Sequence, residues 1–541
     1  MTNSFDSVCK QLAEEVLAGD IDKEELETRK LDLCSEYGLS EVPKNADVMN
    51  AAPDGMRQDV AKVIRRKPMR TASGVAPVAI MTSPKMCPHG KCLYCPGGPA
   101  SEFSSAQAYT GHEPAASRGK QNEYDPYGQV TLRLEQLRHI GHPVDKVELI
   151  VMGGTMTSRS HDYQVWFVKR ALQAMNEYDT TQIPDPSLDS FAEAEDGWKY
   201  LEDVIAENEF RSDVNCIGIT FETKPDWCGT EQIDRMLRLG GTKTEIGVQT
   251  TYERINREMH RGHGKEASVT ANKKLRDSGF KVGFHMMPGQ PGMTKEMCKQ
   301  DFQQIFTRNE WKPDYLKIYP TLVVGGTRVY DSWRQDEFEP LTTDEAADII
   351  AEGIKSVPKY TRIQRMQRDI PADFIEDGVQ KSNLREKVHE RLAEQNETCT
   401  CIRCREVGLQ NNTPSDIELQ TLKYNAAGGT EYFISIEDFD NDILIGFCRL
   451  RFPDTPHRTE LKNAAIVREL HVYGNQTQLN NRLPDSFQHK GFGTQLLKKA
   501  EQITQDNSID KLAIISGIGV RQYYKEKHDY QQDGPYVSKE L

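Results

Sequence analysis

The sequence predicts an α/β protein, a partial (β/α)6 barrel followed by a compact α+β domain, with a helical segment in front. Three observations carry that expectation. Six short, β-branched apolar runs recur between residues 77 and 320, separated by gaps that hold crossover helices. A polar stretch near 396 to 430, with Asn411, Asn412, Pro414 and Gly428-Gly429, interrupts that rhythm, and a different order of elements follows it. Finally, 541 residues exceed what one hydrophobic core organises, so several domains are expected.

Residues 1–75 form the helical segment. Phe5, Val8, Leu12 and Val16 fall at steps of three and four, which gives a helix one apolar face, and Gly19 is a stop. The segment ends in KVIRRKPMR, where Lys62, Arg65, Arg66, Lys67 and Arg70 meet no acid. On composition alone this run is either a solvated helix face or a phosphate-contacting arm. The net charge of −14 excludes a wholly basic coat for nucleic acid or anionic membrane.

The barrel is expected over residues 76–395. Its strands are PVAIMTS at 77–83, VELIVM at 147–152, CIGITFE at 216–222, EIGVQ at 245–249, KVGFHMM at 281–287 and YLKIYP at 315–320. Chemistry belongs at the carboxyl ends of such strands. A linker at 396–415 precedes the second domain, 416–541, in which EYFISIED, DILIGFCRL and AAIVRELHVYG read as strands, GFGTQLLKKAEQIT as a helix and KLAIIS as a strand.

No apolar run approaches the ~18 residues of a membrane span. The opening MTNSFDSVCKQLAEEVLAGD lacks the basic start and apolar centre of a secretory signal, so a cytoplasmic protein with no membrane partner is expected. Of twelve cysteines, six are scattered and six fall into two tight clusters, a pattern that favours metal over disulfides.

The first cluster, MCPHGKCLYCPGG, spaces Cys87, Cys92 and Cys95 as C-x4-C-x2-C directly after the first barrel strand. Three thiolates in one loop suit a four-iron cluster and leave one iron open to a ligand. A zinc knuckle completed by His89 is the weaker alternative. The second cluster, TCTCIRCRE, spaces Cys399, Cys401 and Cys404 as C-x-C-x2-C between the two domains. Three thiolates plus one further ligand would close a structural Zn²⁺ site. His389 or a distant residue would be the fourth ligand, and a second iron–sulfur cluster is a minor alternative.

With YCPGG after the first trio and MGGT at 152–155, the chain resembles radical S-adenosylmethionine enzymes, with one extra residue in the first cysteine gap. RTASG at 70–74, YDPYGQ at 124–129, ETKPDWC at 222–228, RGH at 261–263 and HMMPG at 285–289 resemble the Elongator catalytic subunit family over nearly the whole chain. The resemblance implies a [4Fe-4S] cluster on Cys87, Cys92 and Cys95 whose open iron chelates S-adenosylmethionine. Gly153, Gly154 and Thr155 would lie beside the methionine amino group, and Glu222 and Gln249 would hold its ribose or amino group. Lys224 stands where relatives commonly have Arg, and lysine makes no planar bidentate grip on a carboxylate.

In the second domain Gln488, Gly491, Phe492 and Gly493 follow a strand and open a helix, and helix starts favour pyrophosphate. The motif and its context resemble a GNAT acetyltransferase. That implies acetyl-CoA, with Glu469, Leu470, His471 and Val472 along the pantetheine arm, Phe492 to Thr494 at the pyrophosphate, and Tyr523 and Tyr524 near the thioester. Lys146 matches the family lysine expected to contact acetyl-CoA.

Together these resemblances imply that a deoxyadenosyl radical takes hydrogen from the acetyl-CoA methyl group. The carbon radical then adds to uridine C5 at the tRNA wobble position, and hydrolysis leaves 5-carboxymethyluridine. Implied partners are a tRNA anticodon loop gripped by Lys62 to Arg70, an electron donor, and either a second copy or other Elongator subunits. A protein lysine acetyltransferase with a structural iron–sulfur cluster is the alternative.

Overall fold

A computed structural model describes residues 4–39, 41–53, 55–64, 71, 73–178, 194–410, 414–473 and 491–541. At the front lie four helices, Ser4–Ala18, Glu25–Tyr37, Asn45–Asn50 and Arg57–Ile64. Val8, Leu12 and Val16, the apolar face read from the sequence, close a small core with Leu26, Leu33, Val60 and Ile64. Lys62, read from the sequence as meeting no acid, does meet one: its ammonium donates to Asp59 at 2.7 Å, with both groups exposed. Such a pair adds at most about 1 kcal/mol. Arg65, Arg66, Lys67 and Arg70 lie outside the described residues.

The barrel strands are β1 (Ala76–Met81), β2 (Lys146–Met152), β3 (Asn215–Thr223), β4 (Gly241–Gln249), β5 (Lys281–Met286), β6 (Tyr315–Ile318) and β7 (Arg362–Arg365). They pair in sequence order, all parallel, as an open barrel. The seventh strand escapes the sequence pattern because RIQR carries one apolar residue. Ile363, fully buried, alternates with polar neighbours at the edge beside β6. Val147, Leu149 and Val151 of β2 point into the core formed with the helices, whereas Lys146, Glu148 and Ile150 are only partly covered. That alternation distinguishes the outer face from the lumen.

The second domain is a mixed sheet ordered β13-β14-β12-β11-β10-β9-β8. Its strands are β8 (Ile417–Ala426), β9 (Gly429–Asp438), β10 (Ile443–Phe452), β11 (Ala464–Val472), β12 (Lys511–Ile514), β13 (Gln531–Asp533) and β14 (Tyr536–Glu540). β8 falls inside the stretch read as a polar boundary, because it is an edge strand whose residues mostly face water. The helix Phe492–Asp506 packs on β9, β10 and β11 through Leu496, Leu497 and Ala500.

This domain rests on the amino-terminal ends of the barrel strands through a buried ionic layer. Arg468 of β11 donates to both oxygens of Asp314 at 2.7 and 2.9 Å, to the Phe280 carbonyl at 2.8 Å and to Glu431 at 2.8 Å. Arg276 adds a 3.0 Å contact to Glu431, and Arg451 a 2.9 Å contact to Asp277. No helix among the described residues is long and apolar enough to cross a membrane.

Candidate functional site

The loop after β1 folds over the carboxyl ends of the barrel strands. Gln107 organises it: its carbonyl accepts from the Cys87 amide and its amide donates to the Gly90 carbonyl at 3.1 Å. Cys87 Sγ lies 3.3 Å from Thr155 Oγ1, and the Ala108 amide donates to Cys95 Sγ at 3.1 Å. Cys92 Sγ receives Arg261 Nη1 at 3.5 Å and His89 Nε2 at 3.2 Å. Burial, together with Lys224 and Arg261, lowers His89 to about 4, so its ring is neutral. Burial first, and then the neighbouring Cys92, pushes Cys95 up to about 11.

Backbone shape brings the glycines to this loop. At Gly153, φ is +125° and a Cβ would meet Thr82 Oγ1 at 2.1 Å; at Gly154, φ is +68° and a Cβ would face Cys87 Sγ at 3.6 Å. Only glycine satisfies the first position without displacing Thr82. Gln249, 8% exposed with φ +67°, leaves its side-chain oxygen without a partner among the described residues.

In the second cysteine cluster, Cys399, Cys401 and Cys404 bring their sulfurs within 4.8 Å of one another. A tetrahedral ion with Zn–S bonds near 2.3 Å needs sulfurs roughly 3.8 Å apart. Cys401 and Cys404 stand 3.7 Å apart, and His389, on the helix Leu384–Glu394, places Nε2 3.9 Å from Cys404 Sγ. The second cluster therefore fits one zinc ion. The first trio, three thiols in one loop approached by the Ala108 amide and the Arg261 guanidinium, fits an iron–sulfur cluster, and the Gln249 oxygen fits a polar ligand beside it.

Inside the lumen, Glu222 is already engaged. It accepts from Tyr109 at 2.7 Å and from Lys317 at 2.8 Å. Lys224 is buried and donates to Asp226 at 3.1 Å, and burial lowers its pKa. Lys146 lies at the opposite, amino-terminal end of β2, on the side where the second domain packs. The motifs RGH and HMMPG give no local sign of what Arg261 and His285 touch, and Gln107, Tyr109 and Lys317 carry no signal, since their neighbours are remote in sequence.

In the second domain, Glu469 accepts from Tyr315 of β6 and from Arg449 at 2.8 Å, while Leu470 packs on the core. His471 Nε2 lies 3.1 Å from the Ser73 carbonyl, and Val472 pairs with Gly446. Gly491, with φ +85°, caps the helix that Phe492, Gly493 and Thr494 begin. Tyr523 reaches this turn: its hydroxyl would lie 3.3 Å from a Cβ at Gly493, and it hydrogen-bonds Thr494. Tyr524 is buried in the domain core, edge-on to Tyr530 at 6.1 Å. Gln488 lies outside the described residues.

Comparison with known proteins agrees with this arrangement. Family models match the ELP3 N-terminal domain at residues 5–72, the Radical SAM superfamily at 81–305 and the Radical SAM C-terminal domain at 313–394. The chain is 43% identical over 533 residues to the tRNA uridine(34) acetyltransferase of Methanocaldococcus infernus, covering 96% of each chain. It is 42% identical over 525 residues to Elongator complex protein 3 of Dictyostelium discoideum, covering 95% of this chain and 90% of that one. A solved structure, the archaeal Methanocaldococcus infernus Elp3 with an N-terminus deletion, superposes with a TM-score of 0.74 at 41% identity, over 87% of this chain and 100% of that one. With a radical-SAM half-barrel, a mixed-sheet second domain and near full-length identity above 40%, this chain belongs to the ELP3 family.

Proposed function

We propose that the chain modifies the wobble uridine of tRNA, attaching a carboxymethyl group at C5 with carbon drawn from acetyl-CoA. A relative's name, tRNA uridine(34) acetyltransferase, supports a tRNA uridine as substrate and an acetyl-derived group as what is transferred. The observation that carries the reading is a cysteine trio at the carboxyl ends of the barrel strands, with Cys87 Sγ facing Gly154, tied through one buried ionic layer to a second domain with an anion-ready helix start.

Cys87, Cys92 and Cys95 would hold the [4Fe-4S] cluster, with Gly153, Gly154, Thr155 and Gln249 around S-adenosylmethionine. Bound there, the pair supplies a 5′-deoxyadenosyl radical able to take hydrogen from a methyl group. Arg261, whose pKa the nearby Tyr94 and Cys92 raise despite burial, keeps a permanent positive charge against Cys92 and offsets thiolate charge. Glu222, tied to Lys317 and Tyr109, lines the lumen and turns toward the ligand only by exchanging one of these partners. Glu469 to Val472 and Phe492 to Thr494 would cradle the pantetheine arm and pyrophosphate, with Tyr523 beside them and Lys146 on the barrel side. Cys399, Cys401, Cys404 and His389 would bind zinc. The basic run from Lys62 to Arg70 would grip tRNA phosphates, with an affinity that falls as salt rises.

The test is anaerobic iron loading followed by acetyl-CoA, S-adenosylmethionine and tRNA, with nucleoside mass analysis. Wild-type protein should yield 5′-deoxyadenosine and carboxymethyluridine, and Cys92→Ser should yield neither while still binding tRNA. A fully loaded wild type that produces neither product refutes the reading.

A further inference from the structure

The barrel lumen holds a charge cluster that shares Glu222 with the cofactor site and extends beyond it to Glu245, His285, Lys243 and Lys317. His285 on β5 places Nε2 3.0 Å from Glu245 Oε2 of β4. Lys317 of β6 bridges Glu245 and Glu222, and Lys243 lies 3.2 Å from Glu245. Three ligand-type groups, Glu222, Glu245 and His285, lie within 4.8 Å of one another, but the Lys317 ammonium occupies the place a metal ion would take between the carboxylates. Tyr319 sits edge-on to His285 at 5.4 Å, and Arg365 lies beside Tyr319. Closed eight-stranded β/α barrels fill the interior with packed aliphatic side chains. Here it is ionic.

The cluster fixes a tautomer. Glu245 is held well below the usual carboxylate range: burial would raise it, and Lys317, Lys243 and His285 outweigh that. An ionised Glu245 accepts a hydrogen from Nε2, which leaves the lone pair on Nδ1, a nitrogen with no hydrogen bond among the described residues. Glu245 is 1% exposed and His285 15%, so the ring stands between a buried anion and the open mouth. On β6, Tyr315 meets Glu469 of the second domain while Tyr319 meets His285. Four residues of extended chain at about 3.3 Å each put the Tyr315 and Tyr319 backbones roughly 13 Å apart, a span a flexible thioester arm can cover.

We infer that His285, oriented by Glu245, is the general base for hydrolysis of the thioester, a step that rests on the function proposed above. Nδ1 takes a proton from water as the water oxygen bonds to the thioester carbonyl carbon. The tetrahedral oxyanion then collapses, the C–S bond breaks, and the departing CoA thiolate takes the proton from the imidazolium. A carboxylic acid and free CoA result, with no change in oxidation state.

The experiment uses the full chain with its cluster loaded, acetyl-CoA and tRNA present and S-adenosylmethionine omitted, so that hydrolysis is read without radical chemistry. Release of CoA thiol should fall by roughly 10²- to 10⁴-fold in His285→Gln, and added imidazole should restore part of it. His285→Asn serves as the second variant, with melting temperature and acetyl-CoA affinity as checks on folding. Thiol release by a folded variant at the wild-type rate overturns the inference, as does a wild type that releases none. Failure of the radical reading appears separately, as missing 5′-deoxyadenosine when S-adenosylmethionine is supplied to the wild type.

Discussion

Gly153 is the most constrained residue at the mouth of the barrel. Its φ of +125° suits glycine alone, and a Cβ would press to 2.1 Å from the Thr82 hydroxyl, which donates to the Gly153 carbonyl at 3.1 Å. Gly153→Ala should therefore destabilise the fold by about 1–3 kcal/mol, read as a lower melting temperature. It should also reduce S-adenosylmethionine affinity, because β1 and β2 meet at that contact. An unchanged melting temperature would show that the loop relaxes freely. The MGGT motif and the cysteine spacing were legible without coordinates because each is local. The carboxylate Glu222 was legible as a lumen residue, but its engagement by Lys317, 95 positions later, was not.

The proposed zinc element runs from the helix Leu384–Glu394 to the turn at Cys404. The C-x-C-x2-C spacing announces it, but the fourth ligand depends on which face of the preceding helix meets the turn, and packing decides that. His389 is the residue presented, 3.9 Å from Cys404 Sγ. Purified protein should carry one zinc per chain in addition to iron, and Cys404→Ser should lose that zinc and melt at lower temperature while keeping iron on the first trio. Elemental analysis of both proteins checks this; equal zinc content would rule the element out. β7 and β8 show the converse, strands whose polar sequences hide them because one is an edge with a single buried apolar residue and the other faces water.

Across the whole molecule, the buried ionic layer joins the two sheets into one body. Arg468, Asp314 and Glu431 are all inaccessible to solvent. Removing one member leaves carboxylates under-compensated, so Arg468→Met should cost about 3–5 kcal/mol and split one calorimetric transition into two. In the wild type, burial would raise Asp314, but Arg276, Arg468 and Arg449 hold it far below the usual carboxylate range. A depressed folded value means the layer's contribution is complete above the unfolded value of about 3.9 and is lost only as pH falls below it. In Arg468→Met the sign reverses for any carboxylate left raised, so the variant should regain stability as pH drops toward ~4 while the wild type does not. Melting curves at pH 4.5 and 7 distinguish the two. By itself the sequence determined the α/β class, six of the seven barrel strands, both cysteine clusters and the helix-start glycines, because periodicity and short spacing are properties of neighbours along a chain. Tertiary structure alone decided that His285 faces Glu245, that Lys317 bridges two glutamates and that Tyr315 touches Glu469, because these contacts join residues 40 to 154 positions apart whose approach depends on strand register and domain packing.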